Sequence, residues 1–411
     1  MKITGLCVGA RYLLECLLSV DEELYYKDSL FKCEQLEKTM PTRVPAEVGM
    51  LLANVDTPSL ILELPSFERN LKLMSDSLQG RNIRLRPHAK SHKCPEIAHR
   101  QLLSGAIGVC CQKVSEAEAL VDGGVTDILI SNEVVGNAKL KRLARLTKKA
   151  RIAVCVDDAG NVEELNAAAG NEGVILNLLI EIDAGAHRCG VTPGKAAVDL
   201  AKRIIASRNL RFAGLQAYHG SAQHIRRVPD RRAAIDYAVA QVKATTAMMK
   251  DAGIPCEYVT GAGTGSYMFE TTSGVYTEVQ PGSYIFMDVD YGKNEWDGSP
   301  LARFEQSLFI WTTVMSVPTA ERAVVEAGLK AVSVDSGLPG VADYEGVEYV
   351  NASDEHGVLE MEGAMPFALG QKIRLIPGHC DPTVNLYDWL ICVRDRRVEA
   401  IWPITARGAL L

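Results

Sequence analysis

Residues 175–183 read Ile-Leu-Asn-Leu-Leu-Ile-Glu-Ile-Asp, a run that is apolar at most positions. Strands with one solvated face alternate apolar and polar residues, whereas strands of a parallel sheet are covered on both faces and are apolar nearly throughout. The stretch therefore predicts a strand buried on both faces of a parallel sheet.

Seven further short β-rich runs accompany this stretch, and longer helical patterns separate them. Repeated strand–helix units of this kind are typical of a parallel α/β sheet. Eight units favour a (β/α)8 TIM barrel, and a doubly wound open sheet is the alternative. The predicted strands are residues 84–90, 107–112, 127–132, 151–157, 175–183, 212–219, 258–261 and 278–286.

The pattern differs on either side of the predicted barrel, which we assign to residues 84–305. Residues 45–83 contain a strand-like run and a helix with apolar residues at helical spacing. From residue 306 to 411 the runs are short and strand-like, without a long amphipathic helix, which predicts a β-rich C-terminal domain. We expect the lead-in residues 45–83 to pack partly with that domain.

The composition excludes several classes of protein. Over 411 residues the net charge is −7 and 47% of residues are hydrophobic, so no basic footprint for nucleic acid is present. Eleven cysteines without a CxxC pair favour a reducing compartment over a disulfide framework or a structural zinc site. The apolar stretch 3–20 is interrupted by Arg11 and Glu15, a poor match to a membrane span or secretory signal. We predict a cytoplasmic protein that contacts no membrane, with organelle targeting by residues 1–44 left open.

The segment Arg-Pro-His-Ala-Lys-Ser-His, residues 86–92, ends the first predicted barrel strand. Alternate residues of a strand share a face, so we expect His88, Lys90 and His92 to project together. Barrel active sites lie at the carboxyl ends of the strands, and a lysine among cationic groups and apolar walls has a lowered pKa suited to forming a Schiff base. A solvated lysine at a strand end is the alternative.

A glycine-rich loop, Thr-Gly-Ala-Gly-Thr-Gly at residues 260–265, follows the seventh predicted strand. Glycines let backbone N–H groups approach a phosphate, and threonine hydroxyls add donors. The common phosphate site of barrels lies after strands seven and eight, so the loop predicts a phosphate site, with a simple tight turn as the alternative.

Arg188 follows the fifth predicted strand. It is either a surface salt-bridge residue or a fixed guanidinium at the barrel mouth that donates to a heterocyclic nitrogen.

His379 and Asp381 lie two residues apart in the segment Pro-Gly-His-Cys-Asp-Pro of the predicted β domain. In an extended segment both side chains face the same way and could chelate one cation, with water or substrate in the other positions. A turn between two prolines is the alternative.

Several stretches resemble the D-threonine aldolase group of the alanine-racemase-like, fold-type III pyridoxal phosphate (PLP) enzymes, a group that includes D-threo-3-hydroxyaspartate aldolases and D-serine dehydratases. The resemblance runs from about residue 45 to residue 408 and leaves residues 1–44 as an N-terminal extension outside it. The stretches that carry it are RPHAKSHK (86–93), EIDAGAHRCGV (181–191), GLQAYHG (214–220), GAGTGSY (261–267), EVQPGSYIFMD (278–288) and PGHCDPTVNLYD (377–388).

The resemblance implies a role for each motif. Lys90 would form the Schiff base, and Arg188 would face the pyridine nitrogen. His379 and Asp381 would bind a metal ion. The remaining cofactor-binding residues implied are Gln216, Tyr218, Thr260, Gly263, Thr264, Gly282, Ser283 and Tyr284.

The metal segment favours one reaction within the group. The dehydratase branch resembles His-x-Cys there, whereas this chain has His379-x-Asp381, and a carboxylate favours a harder ion such as Mn²⁺ or Mg²⁺ over Zn²⁺. We therefore expect a small-molecule substrate, a D-β-hydroxy-α-amino acid, to be cleaved to glycine and an aldehyde. The ion would bind the β-hydroxyl, and His88, His92 or a water on the metal would take its proton.

Alternatives remain open at this stage. A D-threo-3-hydroxyaspartate aldolase would need another cation for the second substrate carboxylate, for which His219, His224, Arg226 and Arg227 are candidates. The other functions that remain open are those of a dehydratase, a racemase and a non-catalytic PLP carrier. The resemblance also implies a homodimer with its active site at the subunit interface, where the β domain of one subunit covers the barrel mouth of the other.

Overall fold

Strands and helices alternate through the first two thirds of the chain in the computed structural model, which describes residues 44–296 and 304–411. The N-terminal extension lies outside the described residues up to residue 43. The elements of this part are β1 (Ser59–Glu63), α1 (Leu64–Leu78), β2 (Arg84–Leu85), α2 (Pro95–Leu103), β3 (Val109–Cys111), α3 (Val114–Asp122), β4 (Asp127–Glu133), α4 (Asn137–Leu146), β5 (Arg151–Val156), α5 (Ala159–Glu172), β6 (Leu176–Glu181), α6 (Lys195–Ala206), β7 (Leu210–Ala217), α7 (Val228–Asp251), β8 (Tyr258–Gly261), α8 (Tyr267–Thr272), β9 (Glu278–Val279) and α9 (Val289–Gly292).

Strands β2 to β9 form a parallel sheet in the order β2-β9-β8-β7-β6-β5-β4-β3. Its two ends meet just after β2, where the Cys110 N–H donates to the Pro87 carbonyl at 2.8 Å and His88 pairs with Cys110 in a parallel bridge. The sheet therefore closes, and the predicted (β/α)8 TIM-like barrel is confirmed over the open sheet. Each of the eight predicted runs overlaps one of these strands.

The barrel strands are apolar because both of their faces are buried. On β6, Leu179 packs inside the barrel together with side chains of the neighbouring strands. Leu178 and Ile180 point the other way and pack in the larger cluster between the sheet and its helices. The interpretation of residues 175–183 as a strand covered on both sides is confirmed.

A second, nine-stranded sheet joins the C-terminal part of the chain to β1, in the order β11-β14-β13-β12-β15-β10-β1-β16-β17. Strand β1 lies between β10, where Ile61 pairs antiparallel with Phe309, and β16, where Ile61 pairs in parallel with Ile391. The added elements are β10 (Leu308–Thr319), β11 (Arg322–Val325), β12 (Gly340–Val341), β13 (Glu348–Ala352), β14 (Gly357–Glu360), β15 (Lys372–Ile376), α10 (Cys380–Val384), β16 (Trp389–Arg394) and β17 (Arg397–Pro403).

The segment before α10 is held against the mouth of the barrel. The Val289 N–H donates to the Pro377 carbonyl at 2.9 Å, and the buried Asp288 carboxylate accepts from the Cys380 N–H at 2.9 Å. These contacts place one edge of the C-terminal part beside the carboxyl ends of the barrel strands. Among the helices of the described residues, none is long and apolar enough to cross a membrane.

Candidate active site

A cavity of about 340 Å³ opens at the carboxyl ends of the barrel strands. Nine of the residues predicted to be catalytic or cofactor-binding line it, and they come from the ends of β2, β6, β7, β8 and β9 or from the segments that follow. Closure of the barrel brings these distant segments together. The nine are His88, Lys90, Arg188, Gln216, Tyr218, Gly263, Thr264, Gly282 and Ser283.

Lys90 lies at the cavity wall on a single 3-10 turn, Ala89–Ser91. Its Nζ forms a short ion pair with a carboxylate oxygen of Asp381 from the same chain. Burial disfavours the lysine charge, but Asp381 outweighs it and raises the pKa of Lys90. Burial likewise disfavours the carboxylate, yet Lys90 holds the pKa of Asp381 below its usual range. The lowered lysine pKa expected from the sequence is wrong, because a carboxylate rather than a second cation faces the amine.

His88 reaches the cavity, where neighbours surround its ring. Its Nε2 lies 2.8 Å from Gln112 Nε2 and 3.1 Å from Ser131 Oγ, and its Nδ1 accepts from the Lys90 N–H at 3.4 Å. Burial, and next the charge of Lys90, lower the pKa of His88 well below its usual value. The ring is therefore neutral near neutral pH and is held in one orientation beside the lysine.

His92 does not project beside His88 and Lys90. Strand β2 ends at Leu85, and the 3-10 turn around Lys90 replaces the alternation that would have placed the three side chains on one face. His92 is fully buried, its Nδ1 accepts from the Cys94 N–H at 3.1 Å, and burial lowers its pKa to about 4. The expectation that it faces the site is wrong.

The glycine-rich loop after β8 and the turn after β9 form a cradle at the cavity, on the strands that follow β2 in the sheet. The Thr264 hydroxyl is buried at the cavity and has no hydrogen-bond partner among the described residues. A side chain at Gly263 would meet Gln223 Oε1 at 2.4 Å, and one at Gly282 would meet the His88 carbonyl at 2.9 Å. Glycines that keep the backbone open, next to an unpaired hydroxyl, fit a bound phosphate.

Two residues expected at the phosphate lie elsewhere. The Thr260 side chain points into the barrel below the cavity, donates to Glu278 Oε1 at 2.8 Å and accepts from Gln280 Nε2 at 2.7 Å. The Tyr284 side chain packs in the core, where its hydroxyl accepts from Gln101 Nε2 at 3.3 Å. Both side chains are engaged with protein groups, so the Thr260 hydroxyl is not available as a phosphate donor. A contribution from the backbone of Thr260 and Tyr284 stays a prediction.

Arg188, Tyr218 and Gln216 form a polar part of the cavity wall at the ends of β6 and β7. The Arg188 guanidinium lies 5.8 Å from the centre of the Tyr218 ring and 3.5 Å from Glu181 Oε1. Gln216 exchanges side-chain hydrogen bonds with Gln280, at 3.2 and 2.8 Å. These contacts fix the cation at the cavity edge.

His379 and Asp381 flank the start of α10. The His379 Nδ1 lies 2.8 Å from Asp335 Oδ2, so this nitrogen carries the proton and donates, which leaves Nε2 with a free lone pair as a donor atom for a metal. Asp381 is ionised beside Lys90. Within residues 44–296 and 304–411, no three His, Cys, Asp or Glu side chains cluster around a common metal position. The described donor set is therefore one imidazole and one carboxylate, which fits an ion that keeps other positions for water or substrate.

Sequence reasoning missed part of the cavity wall. His224 was considered only as a cation for a substrate carboxylate, but it lines the cavity and its Nδ1 lies 2.5 Å from Asp290 Oδ2. Arg226, another of those candidates, pairs with the same carboxylate. The partners are 66 residues apart, so no local pattern signals the contact. Other lining residues not foreseen are Gln112, Ser131, Gln280 and Tyr291.

Comparison with known proteins matches both parts of this architecture. Residues 62–290 match the family "alanine racemase, N-terminal domain", and residues 307–393 match "putative serine dehydratase domain". The chain is 50% identical to the D-threonine aldolase of an Arthrobacter species over 366 residues, 89% of this chain and 96% of that protein. It is 48% identical to the 3-hydroxy-D-aspartate aldolase of Paracoccus denitrificans (strain Pd 1222) over 370 residues, 89% and 95% of the two chains.

A solved structure is similar over nearly the same length. The crystal structure of D-threonine aldolase from Filomicrobium marinum superposes with a TM-score of 0.88 at 50% identity, covering 89% of this chain and 100% of that one. The agreement in fold and sequence extends through both the barrel and the C-terminal sheet. The chain therefore belongs to the D-threonine aldolase family of alanine-racemase-like enzymes.

Proposed function

We propose that this protein is a PLP- and divalent-metal-dependent carbon–carbon lyase that cleaves D-β-hydroxy-α-amino acids of the D-threonine type to glycine and an aldehyde. The observation that carries the proposal is the meeting of Lys90 with Asp381 at a cavity that is also lined by Thr264, whose hydroxyl has no partner among the described residues. An amine, a carboxylate and an anion cradle are thereby collected around one small-molecule site.

The cofactor site follows from the two ends of the cavity. Lys90 would hold the cofactor covalently, and Thr264, Ser283 and the backbone of Gly263 and Gly282 would hold its phosphate. Arg188 would face the ring from the wall between them. When bound, PLP supplies an electron sink for the carbanion left at Cα after the Cα–Cβ bond breaks.

The metal proposal rests on the donor atoms of His379 and Asp381. The Asp335 carboxylate fixes the histidine tautomer, and Asp381 is ionised. An imidazole with a carboxylate suits Mn²⁺ or Mg²⁺ better than a closed zinc site. The ammonium of Lys90 now neutralises Asp381, so a lysine committed to the cofactor would free the carboxylate for the ion.

We assign removal of the β-hydroxyl proton to His224 in preference to His88 or His92. His224 lines the cavity and its side chain is 47% exposed, whereas the other two rings are buried. Its Nδ1 donates to the Asp290 carboxylate at 2.5 Å, which orients the ring and leaves Nε2 able to accept a proton.

The charges around the cavity favour an uncharged substrate side chain. Arg226 is committed to Asp290, and Arg188 faces Glu181, so neither guanidinium near the site is unpaired in the described residues. A second carboxylate on Cβ, as in hydroxyaspartate, gains little from a cation that is already neutralised. D-threonine is therefore the preferred class, and D-threo-3-hydroxyaspartate is the second candidate because a 48% identical relative carries that activity in its name.

The homodimer stays part of the proposal in a corrected form. The contact of Lys90 with Asp381 lies within one chain, so a partner subunit would close the barrel mouth without supplying either group. The measurement is the mass of the protein in solution at micromolar concentration, and a fully active monomer would contradict the proposed dimer.

The cytoplasmic location stays a prediction, for which cell fractionation is the measurement.

The decisive experiment is a product assay on the purified protein with D-threonine, D-threo-3-hydroxyaspartate, D-serine and L-threonine, with Mn²⁺, with Mg²⁺ and with a chelator. We expect glycine and an aldehyde from D-threonine, lost on chelation. Ammonia and a 2-oxo acid would support a dehydratase, inversion at Cα a racemase, and tight PLP binding without turnover a carrier.

Two variants separate the metal from the cofactor. Asp381→Ala should bind PLP but lose the metal-dependent activity, while Asp199→Ala, which removes an exposed carboxylate on α6, should behave like the unsubstituted protein. Equal loss of PLP and activity in Asp381→Ala would mean that this segment is structural.

A further inference from the structure

A buried and a half-buried carboxyl group face each other beside Arg188. Glu133 ends β4 and Glu181 ends β6, and their side chains lie within hydrogen-bonding range of each other. The Glu181 side chain is 4% exposed, and the Glu133 Oε1 and Glu181 Oε2 atoms are both buried with no donor among the described residues. Carboxylate oxygens only accept hydrogen bonds, so two ionised groups would leave both of these oxygens unsatisfied and repelling each other.

The charges around the pair do not balance two carboxylates. Arg188, on the loop after β6, contacts Glu181 at 3.5 Å, and the Cys189 thiol from the same loop bonds to Glu133. From β5, between the two glutamates, the neighbour is the buried Cys155 thiol, whose pKa burial raises. From β7, Gln216 lies beside Glu181 in register. One guanidinium therefore faces two acids in a poorly solvated place.

We propose that Glu133 and Glu181 share one proton and, as a hydrogen-bonded acid pair, position Arg188 against the cofactor. The proton lies between the two unsatisfied oxygens, and the single remaining negative charge balances the guanidinium. This deepens the proposed function and rests on it for the cofactor, whereas the shared proton is a property of the chain alone. Burial and then the charge of Glu133 raise the pKa of Glu181 to about 8, which agrees with a retained proton at neutral pH.

A glutamine at either position should replace the shared proton, because its amide N–H donates to the remaining carboxylate. Glu181→Gln and Glu133→Gln are therefore expected to fold and to bind PLP, with Glu163→Gln on the exposed face of α5 as the matched control. Glu181→Ala removes the acceptor of Arg188, and we expect PLP binding about 10-fold weaker.

Two pH profiles of the full-length protein test the pair. The folded protein keeps the proton to about pH 8, above the ordinary range for glutamate, so its stability to urea should fall as the pH rises through that interval and level off above it. Burial raises the pKa of Glu270 to about 7, and this acid adds its own fall below pH 7, so the interval that tests the pair is about pH 7 to 8. Both glutamine variants should lack the fall in that interval, and the control should keep it. The visible absorbance of bound PLP should show a transition near pH 8 in the unsubstituted protein and in the control, and in neither glutamine variant.

The outcomes distinguish this inference from the proposed function. A stability profile that keeps its slope between about pH 7 and 8 in either folded glutamine variant overturns the shared proton. A profile that is flat in this interval, together with an unchanged absorbance transition, overturns the positioning of Arg188. If the unsubstituted protein binds no PLP, the proposed function and the positioning role fail together, while the stability profiles still decide whether the proton is shared.

Discussion

The ion pair between Lys90 and Asp381 makes a quantitative prediction for the protein free of cofactor and metal. The lysine side chain is 38% exposed and the aspartate side chain 12% exposed. Breaking a fully buried pair by removing one partner costs about 3–5 kcal/mol, and an exposed pair contributes about 0–1 kcal/mol. Because solvent screens the lysine end, we expect a coupling free energy of about 2 kcal/mol.

The perturbation is a double-mutant cycle with Lys90→Met and Asp381→Asn. Lys90→Met leaves an uncompensated carboxylate and should lower the free energy of unfolding by about 2 kcal/mol, whereas the double variant should lose about 2 kcal/mol less than the sum of the two single changes. The assay is urea unfolding at fixed protein concentration and neutral pH, in the presence of a chelator.

A control cycle uses Lys195 and Asp199 on α6, whose side chains are 80% and 52% exposed. This exposed pair should couple by less than about 0.5 kcal/mol. If the Lys90–Asp381 coupling were equally small, the two groups would not share a partly desolvated site, and the argument that cofactor binding releases the metal-binding carboxylate would fail.

Three further predictions concern the cradle, a buried acid and the subunits. Thr264→Val should weaken PLP binding about 10-fold in a fluorescence titration, while urea unfolding of the cofactor-free protein stays unchanged, because the hydroxyl bonds to no group among the described residues. Burial raises the pKa of Glu270 to about 7, so the folded protein holds this proton more tightly than the unfolded chain. The free energy of unfolding should therefore fall as the pH rises toward 7, and Glu270→Gln should remove this contribution of about 1.4 kcal/mol per pH unit. Lys90→Ala and Asp381→Ala subunits, mixed under exchange conditions, should recover no activity because both groups belong to one chain, and recovery in the hybrids would show that they meet across an interface.

The barrel could be predicted from the sequence because each of its strands is identified by its own residues. In β6, apolar side chains on both faces of a short run are visible within nine residues, and short β-rich runs mark the other seven strands. The motifs that carry Lys90, Arg188 and the glycine loop were located for the same reason, since the carboxyl end of a parallel strand defines which end of the barrel its residues reach.

Local reasoning failed where the actual strand, with its alternating side chains, does not match the stretch assumed from the sequence. His92 was expected beside Lys90 because a strand was extrapolated five residues beyond its end, but a 3-10 turn rotates it into the core. Thr260 was correctly placed in sequence before the glycine loop, yet its position within β8 directs the hydroxyl to Glu278 below the cavity.

By itself, the sequence determined the fold class, the end of the barrel that holds the site and most of the residues that line it, because these depend on periodicity and motif position along a short stretch of chain. Only the tertiary structure decided which charges meet. Lys90 and Asp381 are 291 residues apart, and Glu133 and Glu181 lie on strands separated by β5. The protonation of each group depends on the distance and burial of its partner, and these are set when the barrel closes and the C-terminal segment packs against its mouth.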